Sequence, residues 1–409
     1  MNKNKVFMIG WEYPPHNSGG LGVACQGLTT SLAELSDHIY FSLPYKFSGS
    51  IKHMTLLDCS HPDWCTKGFS NISPPFFAYD HSIQIPAVRR LDPANLNVRQ
   101  LSSLAQSDLE RQVNQYQDQV IKNSQKKDFG VIHAHDWMSF PAGMSVKQKT
   151  GKPLITHVHS TEFDRSPVGG SAYIMNSEFE GMQFADRVIA VSAYTKKILI
   201  DKYKIDEKKI DVVHNGIDPI SDADPGKHHF AKSRPMVVFM GRLTGQKGPE
   251  YFIQLANSVL KKIPEAIFVV AGNGDLYHEL LFTTANKGLS SKMLFSGFVR
   301  GDQKSKLLDR ADVFVMPSIS EPFGLVAVEA AQRSTPVIIS KTSGVAEVLP
   351  SSIQVDFWDI DLMTNKIVEL LNDQNLSEDV ISGQHNELKN VTWKSAAQKV
   401  MDVYKNVTS

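Results

Sequence analysis

The sequence predicts two doubly wound α/β units that face each other across a cleft. The chain has 409 residues, which at roughly 150 residues per domain is enough for two full cores. Short apolar runs alternate with amphipathic stretches along most of it, as in a parallel sheet covered by helices. The alternation stops at 217–235, a polar stretch typical of a linker, and then begins again. The predicted domains are therefore 1–217 and 218–392, with a last helix at 393–409 that crosses back to the first.

The first half begins with a strand at Val6–Ile9, followed by a glycine-rich turn. A helix after the turn carries apolar residues at Leu21, Leu28, Leu32 and Leu35. A second amphipathic helix is predicted at 109–124, and its mixed polar face favours covering the core over touching a membrane. Residues 41–98, rich in Pro, Ser and aromatic residues, are interpreted as strands interrupted by long loops. Further strands are predicted at Val131-Ile132, Leu154–Val158, Arg187–Val191 and Lys209–Val213.

The second half repeats the rhythm of strands and helices more regularly. Its first helix is expected to begin at Gly248-Pro249, because proline is favoured in the first turn of a helix. In doubly wound sheets, ligands bind at the carboxyl ends of the strands, so the turns after the strands are the candidate sites. The predicted strands are Met236–Met240, Ala266–Ala271, Met293–Phe295, Asp312–Met316 and Pro336–Ile339.

Composition excludes several classes of protein. Lys and Arg (43) balance Asp and Glu (43), so no overall field attracts nucleic acid or an anionic membrane. Three cysteines argue against a disulfide framework and favour a reducing compartment. The first apolar run is too short for the core of a signal peptide, and no stretch is long and apolar enough to span a membrane. We therefore expect a cytoplasmic protein with no more than peripheral membrane contact.

Three turns in the second half follow predicted strands and suit an anionic ligand that is rich in hydroxyl groups. Gly241-Arg242-Leu-Thr-Gly-Gln-Lys247-Gly248 places two cations before a helix N-terminus, which also attracts anions. Gly272-Asn-Gly274-Asp275 is a tight turn that lets a ligand approach the backbone. Two carboxylates flank a helix start in Glu321-Pro-Phe-Gly324-Leu-Val-Ala-Val-Glu329. A nucleotide-diphosphate sugar, anionic in the middle with hydroxyl groups at each end, fits this combination.

The order of these motifs resembles that of retaining glycosyltransferases of family 4, which have the GT-B architecture. The resemblance lies in the two glutamates around Pro-Phe-Gly and in Gly-Arg-Leu-x-x-Gln-Lys-Gly upstream. In the first half, Ser18-Gly-Gly-Leu-Gly22 and His133-Ala-His-Asp136-Trp137 look like segments of bacterial glycogen and starch synthases. Val213-His-Asn215-Gly216-Ile-Asp218 and Thr392-Trp393 are also similar. One departure is Thr342-Ser343-Gly344, where the family usually has Gly-Gly.

The resemblance implies a donor site in the second half. Arg242 and Lys247 would hold the donor diphosphate and neutralise the charge that grows on the leaving group. Glu321 would bind hydroxyls of the donor sugar, and Glu329 would accept hydrogen bonds from the ribose. The other donor contacts are expected from Gly19, Gly20, Gly272, Asn273, Val299, Phe323, Gly324 and Leu325.

The resemblance also implies the catalytic residues and the reaction. His159 aligns with the histidine of the catalytic cleft, with His157 as the alternative, and Asp136 aligns with the aspartate that faces donor and acceptor. Arg242, Lys247 and Glu321 complete the catalytic set. The acceptor hydroxyl would attack on the face from which the diphosphate leaves, and a donor phosphate oxygen would take the proton. Because two fixed cations can replace a metal, no metal or other cofactor is expected.

The donor is expected to be UDP- or ADP-glucose and the acceptor an α-glucan. Transfer of another hexose to a cell-surface polysaccharide or a lipid-linked acceptor is an alternative. A sugar-nucleotide epimerase on the same architecture and a non-catalytic sugar-nucleotide sensor are further alternatives. The donor base, the acceptor and the role of residues 41–98 stay open.

Several polar residues also have a purely structural interpretation. His133 and His135, at a strand end, are expected in the core. The spacing of His53, Cys59, His61 and Cys65 fits no standard zinc site, so loop packing is favoured. The triplets Asp222-Ala-Asp224 and Asp359-Ile-Asp361 are interpreted as turn or capping residues rather than metal ligands.

Overall fold

The computed structural model describes residues 5–17, 19–47, 49–61, 98–166, 169–220 and 234–408. Within the helix Val98–Ser124, side chains are described from residue 108 onward. Residues 62–97, including Cys65, and most of the predicted linker, including Asp222 and Asp224, lie outside the described residues.

The first lobe is built on a parallel sheet that has seven strands in the described ranges. The strands are β1 (Lys5–Ile9), β2 (His38–Leu43), β3 (Thr55–Asp58), β4 (Val131–His135), β5 (Leu154–Val158), β6 (Arg187–Ala190) and β7 (Ile210–Val212). Their order in the sheet is β3-β2-β1-β4-β5-β6-β7, so the strand order reverses at β1 as in a doubly wound fold. The helices are α1 (Gly20–Leu32), α2 (Val98–Ser124), α3 (Phe140–Thr150), α4 (Glu162–Arg165), α5 (Ala172–Phe184) and α6 (Ala193–Asp201).

The second lobe has the same plan with six parallel strands among the described residues. The strands are β8 (Met236–Met240), β9 (Ile267–Ala271), β10 (Met293–Gly297), β11 (Val313–Met316), β12 (Val337–Ser340) and β13 (Ile353–Val355), in the order β10-β9-β8-β11-β12-β13. The predicted fold class is confirmed. The helices are α7 (Pro249–Val259), α8 (Tyr277–Asn286), α9 (Gly301–Arg310), α10 (Leu325–Gln332), α11 (Ile360–Asn372), α12 (Gln374–Leu388) and α13 (Trp393–Thr408).

The helix α13 packs on the first lobe although it follows the second in sequence. Trp393, Val400 and Tyr404 are buried with residues of β1, β2 and α1 in one apolar cluster. An added Cβ on Gly27 of α1 would lie 2.1 Å from the Trp393 ring, so this glycine lets the two helices approach closely. The chain therefore crosses between the lobes twice. The predicted boundaries at 217 and 392 stay a prediction.

The opposite face of the first sheet is covered by α2 and α3. Val113, Tyr116 and Val120 are buried against the sheet, and the Tyr116 hydroxyl donates to the carbonyl oxygens of Gly10 and Ser42. The apolar side of α2 is therefore used in the core. In the part of the chain that is described, no helix combines the length and apolarity that crossing a membrane requires.

Two details differ from the sequence prediction. The helix α1 ends at Leu32, so the predicted Leu35 lies outside it, in a turn closed by hydrogen bonds to the Leu32 carbonyl. The chain turns there because β2 begins six residues after Leu32, at His38. The strands β2 and β13 were not predicted as separate strands: β13 has only three residues, and β2 runs into the segment 41–98, which was interpreted as strands interrupted by loops.

Candidate functional site

The lobes face each other with the carboxyl ends of their strands, which are the binding edges of such sheets. Arg300, just after β10, donates to the carbonyl oxygens of Pro15 (3.1 Å) and Asn17 (2.8 Å), which follow β1. The Arg300 guanidinium also lies 4.7 Å from the ring centroid of Phe298. This contact across the cleft was not predicted, and the position of Arg300 after a strand was its only signal in the sequence.

Lys247 and Glu321 form an ion pair in the second lobe. Lys247 Nζ lies 2.6 Å from Glu321 Oε2, which also accepts a hydrogen bond from Ser318 Oγ at 3.3 Å. The side chains of Lys247 and Glu321 are 18% and 7% exposed. The pair therefore places a cation and a carboxylate together at the strand ends, as the motifs predict.

Arg242, in the turn after β8 of the second lobe, lies beside the glycine-rich turn of the first lobe. An added Cβ on Gly19 would be 4.0 Å from Arg242 Nε, and one on Gly20 would be 3.6 Å from Leu325 Cδ1. The turn thus approaches both Arg242 and the start of α10. Four residues that the sequence predicts for one donor site are brought together by this approach.

The turn after β9 packs directly on the turn after β8. Gly272 has a φ of +150°, and an added Cβ there would lie 1.8 Å from the Gly241 carbonyl oxygen, so no other residue fits. The Leu243 N–H donates to the carbonyl oxygen of Asn273 at 2.9 Å. These contacts hold Arg242, which lies between Gly241 and Leu243, beside the predicted residues Gly272 and Asn273.

The helix α10 presents its N-terminus to the site. Gly324, which precedes it, has a φ of +104°, and an added Cβ would lie 2.8 Å from Met316 Cε. Phe323 is buried, with its ring 6.2 Å from that of His214 in the first lobe. The first N–H groups of a helix lack partners within it, so this end can bind an oxyanion.

Glu329, one turn further along α10, has one carboxylate oxygen in use. Its Oε1 lies 2.6 Å from Lys304 Nζ of α9, whereas its buried Oε2 has no hydrogen-bond partner. A buried acceptor without a partner is costly unless a ligand supplies a donor. Lys304 was not predicted. Val299, also predicted for the site, is half-buried and packs on the core of the second lobe just before Arg300.

Four histidines stack at the carboxyl ends of β4 and β5. His133 and His135 are two positions apart on β4, and His157 and His159 are two positions apart at the end of β5. Residues two apart in a strand point to the same side, and His135 is paired with His157, so all four side chains lie on one face of the sheet. His133 Nε2 lies 3.2 Å from His157 Nδ1, and His135 Nδ1 lies 3.1 Å from His159 Nε2. His133 Nδ1 also lies 2.6 Å from the Tyr404 hydroxyl of α13. His133 and His135 are core residues, as the structural interpretation predicts.

Nitrogen atoms of His133, His135 and His157 lie within 4.8 Å of one another, close enough to suggest a metal. The rings of His133 and His157 are inclined by only 12°, and those of His133 and His135 by 24°. An imidazole binds a metal along a lone pair in the plane of its ring. Both ring nitrogens of His133, and one each of His135 and His157, already lie at hydrogen-bond distance from Tyr404 or another histidine, so the cluster fits hydrogen bonding.

Two of the residues considered for zinc, Cys59 and His53, have other partners. Cys59 is buried, and Asn123 Nδ2 lies 3.2 Å from its sulfur. His53 Nε2 lies 3.3 Å from Thr29 Oγ1. Asp359 caps α11 through the Leu362 N–H, as predicted.

Asp136 links the two predicted catalytic segments. Its Oδ1 accepts from the His159 N–H at 2.7 Å, and its own N–H donates to the His157 carbonyl oxygen at 2.9 Å. Its φ of +58° is uncommon for a residue other than glycine, and such strain often marks a functional position. Burial raises the pKa of the Asp136 carboxyl to about 7, while the bond from His159 opposes that rise.

His159 is held in the neutral form. Burial lowers its pKa well below the usual value, and the neighbouring His135 lowers it further. Burial also lowers the pKa of His135 to about 3. A neutral imidazole can accept a hydrogen bond at one nitrogen and donate at the other, so His159 suits contact with hydroxyl groups.

The first comparison with known proteins concerns families. Residues 77–220 match the family described as Glycosyltransferase Family 4, and residues 221–386 match Glycosyl transferases group 1. The chain is a family 4 glycosyltransferase with the GT-B fold. The predicted family and enzyme class are thereby confirmed, and the enzyme is a transferase rather than the alternative epimerase.

Individual relatives agree with this assignment. The glycosyltransferase is 29% identical to an uncharacterized glycosyltransferase of Methanocaldococcus jannaschii over 98% of both chains. It is 27% identical to a glycogen synthase of Mycobacterium tuberculosis, over 84% of this chain and 79% of the relative.

Solved structures share the fold across nearly the full length. A sucrose-phosphate synthase from Thermosynechococcus elongatus superimposes with a TM-score of 0.76 at 18% identity, covering 98% of both chains. Anabaena HepE in complex with UDP-glucose superimposes with a TM-score of 0.72 at 18% identity, covering 98% of this chain and 99% of that one.

Proposed function

We propose that this glycosyltransferase transfers glucose from a nucleotide-diphosphate glucose to a carbohydrate acceptor, with retention of the anomeric configuration. The observation that carries the proposal is the Lys247–Glu321 pair at 2.6 Å, in the same lobe as Arg242, which lies beside the glycine-rich turn of the first lobe. A cation and a carboxylate side by side suit the junction at which an anionic phosphate is bonded to a sugar.

The diphosphate would lie between the two cations and the N-terminus of α10. Arg242 and Lys247 would bind its oxygens and stabilise the negative charge that develops as the bond to the sugar breaks. Gly19 and Gly20 would let the first lobe approach the same phosphates, because no side chain there fills the space. The backbone N–H groups of Phe323, Gly324 and Leu325, at the start of α10, would add donors for a phosphate or sugar oxygen.

The two glutamates would bind the ends of the donor. Glu321, next to Lys247, would accept hydrogen bonds from sugar hydroxyls. Glu329 has a buried Oε2 with no partner, which would accept a ribose hydroxyl. Gly272, Asn273 and Val299, on the turns beside α9, would border the nucleotide.

The first lobe would supply the groups next to the reacting carbon. His159, neutral and hydrogen-bonded to His135, would contact a hydroxyl of donor or acceptor, and Asp136 would fix the His159 backbone. The acceptor oxygen would form the new bond to the sugar carbon as the bond to the phosphate oxygen breaks. The acceptor proton would move to an oxygen of the leaving diphosphate, so no protein base is needed.

Turnover without a divalent cation belongs to the same proposal. Arg242 and Lys247 would carry the positive charge that a metal supplies in other enzymes. Excess EDTA should therefore leave the initial rate within about twofold. If a metal ion made one of these charge contacts instead, its removal would lower the rate roughly a hundredfold. Activity that EDTA abolishes and Mg²⁺ or Mn²⁺ restores would contradict this part.

Glucose as the sugar and an α-glucan as the acceptor are supported by the relative named glycogen synthase. A lipid-linked acceptor is a second candidate, because a relative from Escherichia coli, 27% identical over 62% of this chain, is a galactosyltransferase named for a diphosphoundecaprenol acceptor.

Cytoplasmic location also belongs to the proposal. Cys25 and Cys59 are both buried free thiols in the described residues, which suits a reducing compartment.

The proposal is tested by binding and then by transfer. Thermal shift of the protein against UDP-, ADP- and GDP-glucose, with the galactose and N-acetylglucosamine analogues, would identify base and sugar together. Incubation of the best donor with maltooligosaccharides, followed by chain-length analysis and NMR of the new linkage, tests acceptor and stereochemistry. Unchanged chain lengths would refute the glucan acceptor, and a β-linked product from an α-linked donor would refute retention.

A further inference from the structure

The residues on either side of Glu321, Ser320 and Pro322, are each hydrogen-bonded to the first lobe. Ser320 Oγ donates to Asp164 Oδ1 at 2.5 Å, and the Pro322 carbonyl oxygen accepts from Ser192 Oγ at 2.6 Å. All four of these residues are buried. Glu321 therefore lies between two buried hydrogen bonds that both cross from one lobe to the other.

Asp164 is itself fixed within the first lobe. Its Oδ2 accepts from the N–H (2.7 Å) and the hydroxyl (2.8 Å) of Thr161, which caps the short helix α4. The side chain is fully buried, and the charge of Arg165 lies near it. Since Oδ2 is engaged in its own lobe, Oδ1 remains for the hydroxyl of the other lobe, and the direction of that bond is defined.

Ser320 also connects to the cation of the donor site. Its hydroxyl lies 2.8 Å from the Tyr194 hydroxyl of the first lobe, and its carbonyl oxygen accepts from Gln246 Nε2 at 3.1 Å. Gln246 precedes Lys247 and is buried. Because the bond from Gln246 uses the Ser320 carbonyl oxygen, it remains when the Ser320 hydroxyl is removed, so loss of the hydroxyl acts on Glu321 rather than on Lys247.

The other neighbour is held just as closely. An added Cβ on Gly344 would lie 2.1 Å from the Pro322 carbonyl oxygen and 2.6 Å from Ser192 Cβ. The backbone at Gly344 therefore packs closely against both Pro322 and Ser192. The Gly344 N–H also donates to the Glu321 carbonyl oxygen at 2.8 Å. The backbone of Glu321 therefore has little room to move while Ser192 stays in place.

We propose that Asp164 and Ser192 of the first lobe are positioning residues for Glu321. Through Ser320 and Pro322 they align the Glu321 carboxylate with the donor sugar, so that the sugar end of the site is complete only while the lobes hold this arrangement. The inference rests on the proposed role of Glu321. It adds that the acceptor lobe controls recognition of the sugar without touching it.

A different contact between the lobes provides a matched control. Glu347 accepts from the N–H groups of Ala193 and Tyr194, both at 2.8 Å, and lies 2.7 Å from His214 Nε2. Its side chain contacts neither neighbour of Glu321. If any weakened contact between the lobes lowered sugar binding and kcat, Glu347→Gln and Ser320→Ala would lower them alike. If Glu321 is specifically positioned through Ser320, only Ser320→Ala would lower them.

The test compares binding of UDP and of UDP-glucose by calorimetry, together with kcat; if the thermal-shift panel selects another base, that nucleoside diphosphate and its glucose derivative take their place. For Ser320→Ala we expect a UDP dissociation constant within about twofold of wild type, because UDP lacks the sugar. The additional affinity that glucose provides, and kcat, should each fall about tenfold, since small displacements at a reacting centre cost one to two orders of magnitude. Ser320→Thr, which keeps the hydroxyl, should recover most of both, and Glu347→Gln should change neither by more than about twofold.

The possible failures are distinguishable. If wild type binds UDP and UDP-glucose equally, the proposed role of Glu321 is wrong and the inference falls with it. If wild type shows the preference and Ser320→Ala keeps it in full, the inference alone is wrong. Should Ser320→Ala fail to fold, Ser192→Ala removes the bond to the Pro322 carbonyl oxygen, to which Thr195 Oγ1, 3.4 Å away, can still donate. A loss of about threefold in the same two quantities supports the inference, and no loss overturns it.

Discussion

Replacing Lys247 by Met tests whether this cation serves the donor or only Glu321. The substitution keeps most of the side-chain volume and removes the ammonium 2.6 Å from Glu321 Oε2. Removing one partner of a buried ion pair costs about 3–5 kcal/mol, because the other charge stays buried. Lys247 is 18% exposed and Ser318 still donates to the carboxylate, so we expect a loss of about 2 kcal/mol in the free energy of unfolding. For a lobe of this size that lowers Tm by roughly 4–8 °C.

The effect on function should be larger than the effect on stability. If Lys247 binds the diphosphate, Lys247→Met weakens transition-state stabilisation by about 3 kcal/mol, a factor of roughly a hundred in kcat/KM. A stability defect of about 2 kcal/mol alone would leave nearly all of the protein folded and the rate almost unchanged. Calorimetry with UDP, differential scanning calorimetry and initial rates separate the three quantities.

The double variant Lys247→Met/Glu321→Gln distinguishes the two roles. Without the Glu321 charge, the loss of Lys247 should cost little stability, yet UDP binding should stay about as weak as in Lys247→Met alone. UDP affinity equal to wild type in Lys247→Met would refute the diphosphate role. Lys341→Met is the control, since Lys341 pairs with Asp356 on the surface with 55% of its side chain exposed. It should change stability by less than about 0.5 kcal/mol and leave binding unaltered.

Three further predictions follow from single contacts. Because burial raises the pKa of Asp136 to about 7, the folded state binds the proton more tightly than the unfolded state, and the contribution of Asp136 to stability is lost as pH rises from about 4 through 7. Urea unfolding should therefore show Asp136→Asn gaining stability relative to wild type between pH 5 and pH 8, and an unchanged difference would contradict the shift. Gly324→Ala, at a φ of +104° and with Met316 Cε 2.8 Å from the new Cβ, should lose about 1–3 kcal/mol and weaken UDP binding; an unchanged Tm would show that the turn adapts. Trp393→Ala removes a buried ring from the first lobe and should cost about 3–5 kcal/mol in urea unfolding, whereas a loss below 1 kcal/mol would mean that α13 contributes little to that core.

Much of the fold and the donor site could be predicted because both depend on local patterns. Buried parallel strands such as Met236–Met240 and Ile267–Ala271 are continuous apolar runs, which the sequence displays directly. Gly324 at the start of α10 and the neighbouring Glu321 could be placed because a glycine between a strand end and an apolar helix leaves few conformations.

The contacts between distant segments could not be predicted. Arg300 binds carbonyl oxygens of Pro15 and Asn17, and every residue has a carbonyl oxygen, so the sequence holds no sign of the partner. The bond between Asp164 and Ser320 joins residues 156 positions apart. Such a contact depends on how the lobes meet, which no local pattern encodes.

The histidine stack shows where the limit lies. Alternation along β4 places His133 and His135 on one face, which the sequence indicates. That His135 lies opposite His157 requires the register between two strands, and that register is set by the packing of the whole sheet. The hydrogen bond between His135 and His159 depends on the same register, because His159 follows His157 by two residues on the same face.

The place where the chain leaves the first lobe and the place where it returns are paired with each other. The Ile217 N–H donates to the Val391 carbonyl oxygen at 3.2 Å, and Ile217 forms a parallel bridge with Thr392. Gly216 is pressed against the backbone of Trp393, where an added Cβ would lie 2.1 Å from its nitrogen. Because the two crossings are bonded to each other, a displacement of one lobe relative to the other must move both crossings together. A pair of fluorescent labels, one on each lobe, would report such a displacement.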